Sequence, residues 1–331
     1  MNTADNTSLQ HLIQQSTGAT SMERGQRIQS LWSGYGEVVR YQLQGCAMPS
    51  VIIKHIQFPE QQQHPRGWNT DLSHARKVQS YAVETAWYQQ YSAQCSALCR
   101  VPKCYAATQL GDEHMLILED LDAAGFALRK STLQKSTCKL VLTWLAHFHA
   151  QFMSVSPENL WQEGSYWHLN TRPDELQAMP TGALRDAAPQ IAQALQQTRF
   201  PTLIHGDAKV ANFCFSADEQ QVAAVDFQYV GGGCGMKDVA YFLGSCLHDK
   251  QLHAWQDELL DVYFYHLKNA VPNHINTLSL EQEWRYLYPM AWADFYRFLT
   301  GWMPEHQKIN AYGQKMSQQA LLSLTQQDMH P

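Results

Sequence analysis

The sequence contains few charged residues and no long apolar run. Aspartate, glutamate, lysine and arginine make up 16% of the 331 residues, and the formal net charge is -6. This balance requires no strongly basic surface, which argues against a dedicated nucleic-acid binder. No apolar run approaches the length that spans a bilayer. The opening residues, MNTADNTSLQHLIQQ, lack the basic and apolar regions of a signal peptide, so we expect a cytoplasmic protein without a membrane span.

Cysteine and histidine patterns typical of metal sites are missing as well. Eight cysteines are scattered along the chain, and the one cluster, Cys95, Cys99 and Cys104, fits none of the usual zinc spacings. His147 and His149 stand two positions apart on a predicted helix, where their side chains point to different faces. We therefore expect reduced thiols and no joint metal ligation by the two histidines.

Apolar residues are abundant enough for a large core, at 45% of the chain. After a polar N-terminal region, the first part of the chain predicts a small antiparallel lobe with one helix. Ser73 is the predicted N-cap of that helix, which runs to about Tyr91. The predicted strands lie near 38–43, 51–56, 101–108 and 115–119.

Beyond residue 121 the pattern becomes mainly helical. Helices are predicted over 133–152, 181–198, 236–248, 250–270, 280–302 and 306–326. Short strands are predicted at 203–204, 213–215 and 222–227. The glycine run 231–233, with Gly235, predicts either a close backbone approach to a ligand or a flexible turn, and we prefer the turn.

The stretch LIHGDAKVANFCF, residues 203–215, carries the first chemical signal. Two short apolar runs enclose a polar loop, so the loop is expected to be held rigidly at both ends. Within it Asp207, Lys209 and Asn212 match the D-x-K-x-x-N pattern of phosphoryl-transfer catalytic loops. An Asx-rich turn is the other interpretation of the loop taken alone.

Four further features of the sequence stand in the order along the chain that this chemistry requires. Lys54 ends the apolar strand VIIK, and Glu84 lies in the helix that follows. Asp226 follows an apolar run and begins DFQ, while Glu119 to Asp122 end the last strand of the small lobe. Each has an ordinary structural explanation taken singly. Together they occur in the expected order, each on the expected type of element, and this combination predicts a kinase-like fold.

With these motifs the sequence resembles the aminoglycoside phosphotransferase and choline kinase superfamily over nearly its whole length. HGD at 205–207 is typical of this superfamily, and KDVAYFL at 237 follows Asp226 too closely for a long activation segment. The GWN at 67–69, the RKVQSYAVETAWY at 76–88 and the DFQ most resemble the ecdysteroid-kinase-like branch.

The resemblance implies an α+β, bilobal protein-kinase-like fold. Residues 1–121 would form the nucleotide-binding lobe, with mixed helix and strand. Residues 122–331 would form the larger, mainly helical lobe for catalysis and acceptor binding. The nucleotide loop would contain Gly34 and Gly36, although Val39 stands where the third glycine of the pattern belongs.

The resemblance also implies a role for each candidate residue. Lys54 would contact the ATP phosphates and be oriented by Glu84, and backbone groups of Glu119 and Leu121 would meet adenine. In the catalytic lobe, Asp207 would deprotonate the acceptor, Lys209 would offset phosphoryl charge, and Asp238 would support the loop backbone. The implied Mg2+ ligands are Asn212 and Asp226.

The implied function is an ATP- and Mg2+-dependent phosphotransferase, a kinase that acts on a small-molecule hydroxyl. Residues 280–303 hold few carboxylates and many aromatic rings, so an apolar or lipid-like alcohol is expected first and a choline-like amine second. For most of these rings, packing in the helical core is the preferred interpretation. An inactive kinase fold that serves as a binding or scaffold module is the alternative. GGGCGMKDV lacks the spacing of a dinucleotide-binding oxidoreductase motif.

Overall fold

A computed structural model describes residues 3–31, 34–58, 71–111 and 113–328 of the chain. Its residues form two compact units. The first contains Met1–Cys95, Arg100–Leu128 and Cys214–Gln228. The second contains Ser96–Cys99, Arg129–Phe213 and Tyr229–Pro331.

The first unit is built on a five-stranded antiparallel sheet with strand order β1-β2-β3-β5-β4. Its strands are β1 (Ser21–Ser30), β2 (Gly36–Gln44), β3 (Ser50–Ile56), β4 (Cys104–Leu110) and β5 (Glu113–Glu119). Two helices belong to the same unit, α1 (Thr3–Thr17) and α2 (Asp71–Gln90). Val39, Ile53 and Ile117 occupy paired positions on β2, β3 and β5 and form the centre of a buried apolar cluster.

The first two elements were not predicted from the sequence. α1 is mostly polar, but Leu9 and Ile13, one helical turn apart, are both buried in that cluster. β1 is an edge strand with mostly exposed side chains, so it lacks the apolar alternation that identifies a strand.

The predicted N-cap of α2 is wrong: α2 begins at Asp71, which places Ser73 inside the helix. Residues 59–70, which include the GWN motif, lie outside the described residues.

A second, two-stranded sheet pairs β7 (Phe213–Phe215) with β8 (Val222–Ala224). Leu121 and Phe126 pack against Cys214 of β7 and Ala223 of β8 in a small buried cluster. This sheet brings DFQ, at the end of β8, into the first unit.

The second unit is mainly helical, as predicted. Its helices are α3 (Lys135–Gln151), α4 (Pro173–Ala178), α5 (Ala183–Gln196), α6 (Met236–Cys246), α7 (Asp249–Ala270), α8 (Thr277–Trp302) and α9 (Ala311–Asp328). Most aromatic side chains of α8 are buried, which confirms their predicted packing in the core. The buried ones are Trp284, Tyr288, Trp292, Phe295 and Phe298.

The glycine run is a strand, and the preferred interpretation as a flexible turn is wrong. β9 (Gly231–Gly233) pairs with β6 (Thr202–Ile204) in antiparallel register. A Cβ atom on Gly231 would lie 2.1 Å from the carbonyl oxygen of Trp161. The glycines are therefore needed because two backbone segments approach this strand closely.

The predicted α+β class, with a small antiparallel sheet and a larger helical part, is confirmed. Across the described ranges, no helix combines the length and apolar character needed to cross a membrane.

Candidate active site

The loop after β6 follows a path that only glycine permits. β6 ends at Ile204, and His205, Gly206 and Asp207 follow it directly. Gly206 has a φ of +76°, and a Cβ atom there would lie 2.0 Å from the carbonyl oxygen of Tyr229. Any other residue would combine a left-handed backbone with a clash against main chain. Gly206 therefore fixes the way in which the chain reaches Asp207.

A buried carboxylate on α6 holds the same loop. Asp238 accepts hydrogen bonds from the backbone N–H of His205, at 2.6 Å, and of Gly206, at 2.9 Å. The side chain is fully buried, so these charge-assisted bonds compensate for its lost hydration. The supporting contact that the resemblance implied for Asp238 is confirmed.

His149 on α3 gives Asp238 a further partner. Its Nε2 lies 3.1 Å from Asp238 Oδ2, and its Nδ1 lies 2.8 Å from the Tyr263 hydroxyl. Because a carboxylate only accepts, the Nε2–H tautomer satisfies both contacts, with Tyr263 donating to Nδ1. The hydroxyl of Thr202 donates to the His149 carbonyl at 2.7 Å and ties α3 to β6. His149 is thus a positioning residue for the loop.

Asp207, Lys209 and Asn212 come together as predicted. Asp207 Oδ2 accepts from Lys209 Nζ at 2.8 Å and from Asn212 Nδ2 at 2.9 Å. Asn212 Nδ2 also donates to the main-chain carbonyl of Asp207, at 2.8 Å. Since the amide nitrogen is directed at Asp207, the amide oxygen of Asn212 points away from it. That oxygen is the atom that a metal ion would require.

In the first unit, Lys54 and Glu84 form the expected ion pair. Lys54 lies within β3, and its Nζ is 2.6 Å from Glu84 Oε2 on α2, with both side chains buried. Lys54 Nζ also lies 3.5 Å from Asp226 Oδ1. Burial alone would lower the pKa of Lys54, but the Glu84 and Asp226 carboxylates hold it above its ordinary value. The ammonium group is therefore cationic and points towards Asp226.

Asp226 has an unusual backbone conformation. Its φ is +69°, in the left-handed region that costs a residue with a side chain about 1–2 kcal/mol. The next two residues are anchored to α2. The Phe227 ring stacks on Trp87 with centroids 4.5 Å apart, and Gln228 Oε1 accepts from Lys77 Nζ at 2.7 Å. Such an observed outlier, held by packed neighbours, is typical of functional positions.

The two glycines of the predicted nucleotide loop differ in their surroundings. Gly34 has a φ of +73° with open space around a potential Cβ atom. Gly36 has a φ of +133°, and a Cβ atom there would lie 2.0 Å from the carbonyl oxygen of His55 on β3. Gly36 is therefore required by the pairing of β2 with β3, whereas Gly34 is required by its backbone angle alone.

The segment after β5 has its own hydrogen bonds. The N–H of Glu119 donates to the Lys103 carbonyl, and the Leu121 carbonyl accepts from the N–H of Phe126, each at 2.8 Å. The Glu119 carboxylate is bound by Arg100. The Glu119 N–H and the Leu121 carbonyl are therefore already hydrogen-bonded within the protein. An adenine base bound here would instead use the Glu119 carbonyl and the Leu121 N–H.

Asp120, between them, clamps this segment to the sheet. It accepts from Arg40 Nε on β2 at 2.6 Å and from the Ser50 hydroxyl on β3 at 2.7 Å. Arg40 also reaches Asp122, at 2.5 Å. Burial alone would raise the pKa of Asp120, but the bonds from Arg40 and Ser50 lower it.

Comparison with known proteins now gives the family. The sequence model described as the ecdysteroid kinase-like family matches residues 65–179 and 168–276. The chain belongs to this ecdysteroid kinase-like family. None of the curated proteins matches it in sequence.

Two solved structures have a similar fold over nearly the whole chain. A microcompartment-associated aminopropanol kinase is 13% identical, with a TM-score of 0.50 and 98% of each chain covered. A provisionally named aminoglycoside phosphotransferase from Ralstonia eutropha is 11% identical, with a TM-score of 0.50, over 96% of this chain and 95% of the other. At these identities the likeness concerns the fold, and the predicted protein-kinase-like fold is confirmed.

The sequence analysis did not single out several side chains that support the candidate site. They are His149, Tyr263, Arg40, Asp120 and Gln228. Each acts through a partner far away in sequence, so no local spacing identifies it. The one available signal was the position of Asp120 and Gln228 next to predicted site residues.

Proposed function

We propose that the protein is an ATP- and Mg2+-dependent phosphotransferase that acts on a hydroxyl group of a small molecule. The observation that carries this proposal is the arrangement of Asp207. Its carboxylate lies on a rigidly held loop, with Lys209 Nζ and Asn212 Nδ2 both bonded to one oxygen. Phosphoryl transfer depends mainly on positioning and electrostatics, and this loop supports both.

In the proposed reaction Asp207 orients the acceptor and takes its proton. Its side chain is mostly buried, so the carboxylate is held in place rather than freely rotating. The Lys209 side chain is 38% exposed, and its ammonium group offsets negative charge on the transferred group. ATP supplies the phosphoryl group: its bond to the bridging oxygen breaks as the acceptor oxygen bonds to phosphorus, and ADP leaves.

The proposed Mg2+ ligands have suitable chemistry. Asn212 offers an amide oxygen that its own hydrogen bonds direct away from Asp207, and Asp226 offers a carboxylate. Mg2+ prefers hard oxygen donors and keeps waters and substrate phosphates among its ligands, so two protein ligands are sufficient. When bound, the ion neutralises phosphate charge. The strained φ of Asp226 further supports a role that the fold alone does not require.

The proposed nucleotide contacts lie in the first unit. Lys54, paired with Glu84, would meet the phosphates, and the backbone at Gly34 and Gly36 would approach them. The Glu119 carbonyl and the Leu121 N–H would bind adenine. That residues 1–121 bind the nucleotide and residues 122–331 the acceptor stays a prediction. Asp226 nevertheless folds within the first unit.

An apolar or lipid-like alcohol remains the first candidate acceptor and a choline-like amine the second. The named aminopropanol kinase has the same fold, which keeps an amino alcohol among the candidates. Most aromatic side chains of α8 pack inside the second unit, so few of them can contact an acceptor.

The proposal is tested by ADP release from Mg-ATP over a panel of hydroxyl compounds. At least one acceptor should raise ADP release above slow hydrolysis by water, and omission of Mg2+ should abolish the increase. Exposed Lys315→Met is a matched control that should keep the wild-type rate. Folded protein that binds no Mg-ATP and releases no ADP with any alcohol would favour the inactive binding module instead.

A further inference from the structure

Two tyrosines lie beside Asp207 in the second unit. The backbone N–H of Tyr166 donates to the Gly206 carbonyl, at 3.3 Å. The Tyr166 and Tyr241 hydroxyls are 3.2 Å apart. Burial raises the pKa of Tyr241, and Tyr166 and the Asp207 carboxylate raise it further. The two rings therefore form a wall next to the proposed proton acceptor.

That wall belongs to a larger aromatic cluster, which we call the Trp167 cluster. Its ring contacts are close, with Tyr241 and Phe295 centroids 4.9 Å apart and Tyr166 and Phe298 centroids 5.5 Å apart. Its buried members are Trp167, Tyr241, Phe295, Phe298 and Leu299, and its partly buried members are Tyr166, Trp302 and Ile309. An apolar surface thus continues from the neighbourhood of Asp207.

Lys308 places a cation on this cluster. Its Nζ lies 5.0 Å from the centroid of the Tyr241 ring and 5.7 Å from that of Phe295. Burial lowers the pKa of Lys308, the Asp207 carboxylate opposes this, and the Lys209 ammonium adds to it. The charges of Asp207 and Lys209 therefore both act on Lys308.

The other cations around the cluster are already paired. Lys237 Nζ lies 3.2 Å from a Glu163 oxygen and 3.5 Å from an Asp294 oxygen. Arg297 is bound by Asp294, and Arg172 by Glu175. Within the part of the chain that the structure describes, Lys308 has no carboxylate oxygen within 4 Å of its Nζ. Glu163, Asp294 and Glu175 are thus each paired with a cation other than Lys308.

A partly buried ammonium without a carboxylate is unfavourable unless another charge compensates it. We propose that the acceptor is an alcohol with an anionic group, which Lys308 binds while the hydroxyl meets Asp207. The body of the acceptor lies on the exposed edge of the Trp167 cluster and is apolar or aromatic. This inference rests on the proposed phosphotransferase function. It also disfavours amines, because an ammonium group would meet Lys308 and Lys209.

The competing role for Lys308 is contact with the transferred phosphoryl group. The two roles differ in kinetics. If Lys308 binds the acceptor's anion, its replacement raises KM for anionic acceptors only. If it contacts the phosphoryl group, its replacement lowers kcat for every acceptor alike.

The experiment uses ω-hydroxy carboxylates, α,ω-diols and ω-amino alcohols of equal chain length, in aliphatic and phenyl-substituted forms. ADP release is measured for the wild type, Lys308→Met and the exposed-lysine control Lys315→Met. In the wild type, kcat/KM should favour the carboxylate over the diol by about tenfold or more, as for a charge-assisted hydrogen bond. The amino alcohol should be poorest. Lys308→Met should remove the preference through KM, and Lys315→Met should keep it.

A wild type that prefers the amino alcohol, or a Lys308→Met variant that loses kcat equally with all three acceptors, would overturn the inference but not the proposed function. Thermal shift with the same compounds gives a readout without turnover. Stabilisation by the carboxylate that depends on Lys308, without any ADP release, would support the anion site and reject the phosphotransferase. The absence of both binding and turnover with the carboxylates would reject the anion site.

Discussion

Glu163 is a buried carboxylate whose charge is held by its neighbours. Lys237 Nζ lies 3.2 Å from Oε1, and His168 Nδ1 lies 3.5 Å from Oε2. Burial alone would raise the pKa of Glu163, but Lys237 and His168 lower it to about 2. Lys237 directly precedes Asp238, so this pair anchors the turn of α6 that supports the loop of Asp207.

A depressed carboxylate pKa links stability to pH. The contribution of Glu163 is fully present above its unfolded pKa, near 4.5, and is lost as pH falls towards 2. We expect the loss in unfolding free energy from this group to approach about 3 kcal/mol over that range. Urea unfolding at stepped pH values should show a shallower dependence in Glu163→Gln than in the wild type. Glu305→Gln, which removes an exposed carboxylate, is the control, and equal slopes in all three proteins would contradict the assignment.

At the residue scale, the parts of the site that are contiguous in sequence were predictable. Asp207, Lys209 and Asn212 lie within six positions, so their spacing on one loop places them together. Their supports were not predictable, because the contact of His149 with Asp238 joins residues 89 positions apart. Lys308 shows the same limit, since its position on the Tyr241 ring follows from packing that no local pattern encodes.

At the scale of elements, the loop that carries Asp207 lies between closely packed backbone segments. Ile204 of β6 pairs with Gly231 of β9, and the Gly206 backbone passes against Tyr229. The loop therefore has little room to move. The glycines of this loop and of β9 allow backbone segments to approach closely. The glycine-rich composition of β9 was therefore wrongly interpreted as a flexible turn.

Gly206 and Gly18 offer a matched test of this close approach. Their φ values are +76° and +73°, but a Cβ atom on Gly18 meets nothing within 4 Å. Gly18→Ala should cost only the left-handed backbone penalty, about 1 kcal/mol. Gly206→Ala adds the clash with Tyr229, so its urea midpoint should fall further and ADP release should be lost. Equal destabilisation by the two substitutions would show that the loop can relax around the added methyl group.

Elements with clear apolar periodicity were predicted, and elements without it were not. The long helices α3, α7 and α8 begin and end within three residues of their predicted bounds. α1 and β1 were not predicted, because these mostly polar segments are held in place by only a few buried side chains, Leu9 and Ile13 among them. In such segments tertiary packing, rather than local pattern, determines the structure.

At the scale of the whole molecule, the proposed chemistry divides between two compact units. Lys54, Glu84 and Asp226 lie in the first, and Asp207 and Asn212 lie in the second. The order of these residues along the chain was enough to predict the kinase-like fold, because each motif occupies a fixed element of that fold. The acceptor was not predictable, since the residues that would contact it come from distant parts of the second unit.

The central claim is that Asp207 handles the acceptor proton while Asp226 holds the metal. The most direct measurement compares Asp207→Asn with Asp226→Asn for Mg-ATP affinity, by calorimetry, and for ADP release. Asp207→Asn should keep Mg-ATP affinity within about twofold while turnover falls by about 10²–10⁴-fold. Asp226→Asn should weaken Mg-ATP binding by about tenfold or more along with turnover, because a charged Mg2+ ligand is lost. If Asp207→Asn instead abolishes Mg-ATP binding while Asp226→Asn keeps both affinity and rate, the assigned roles are contradicted.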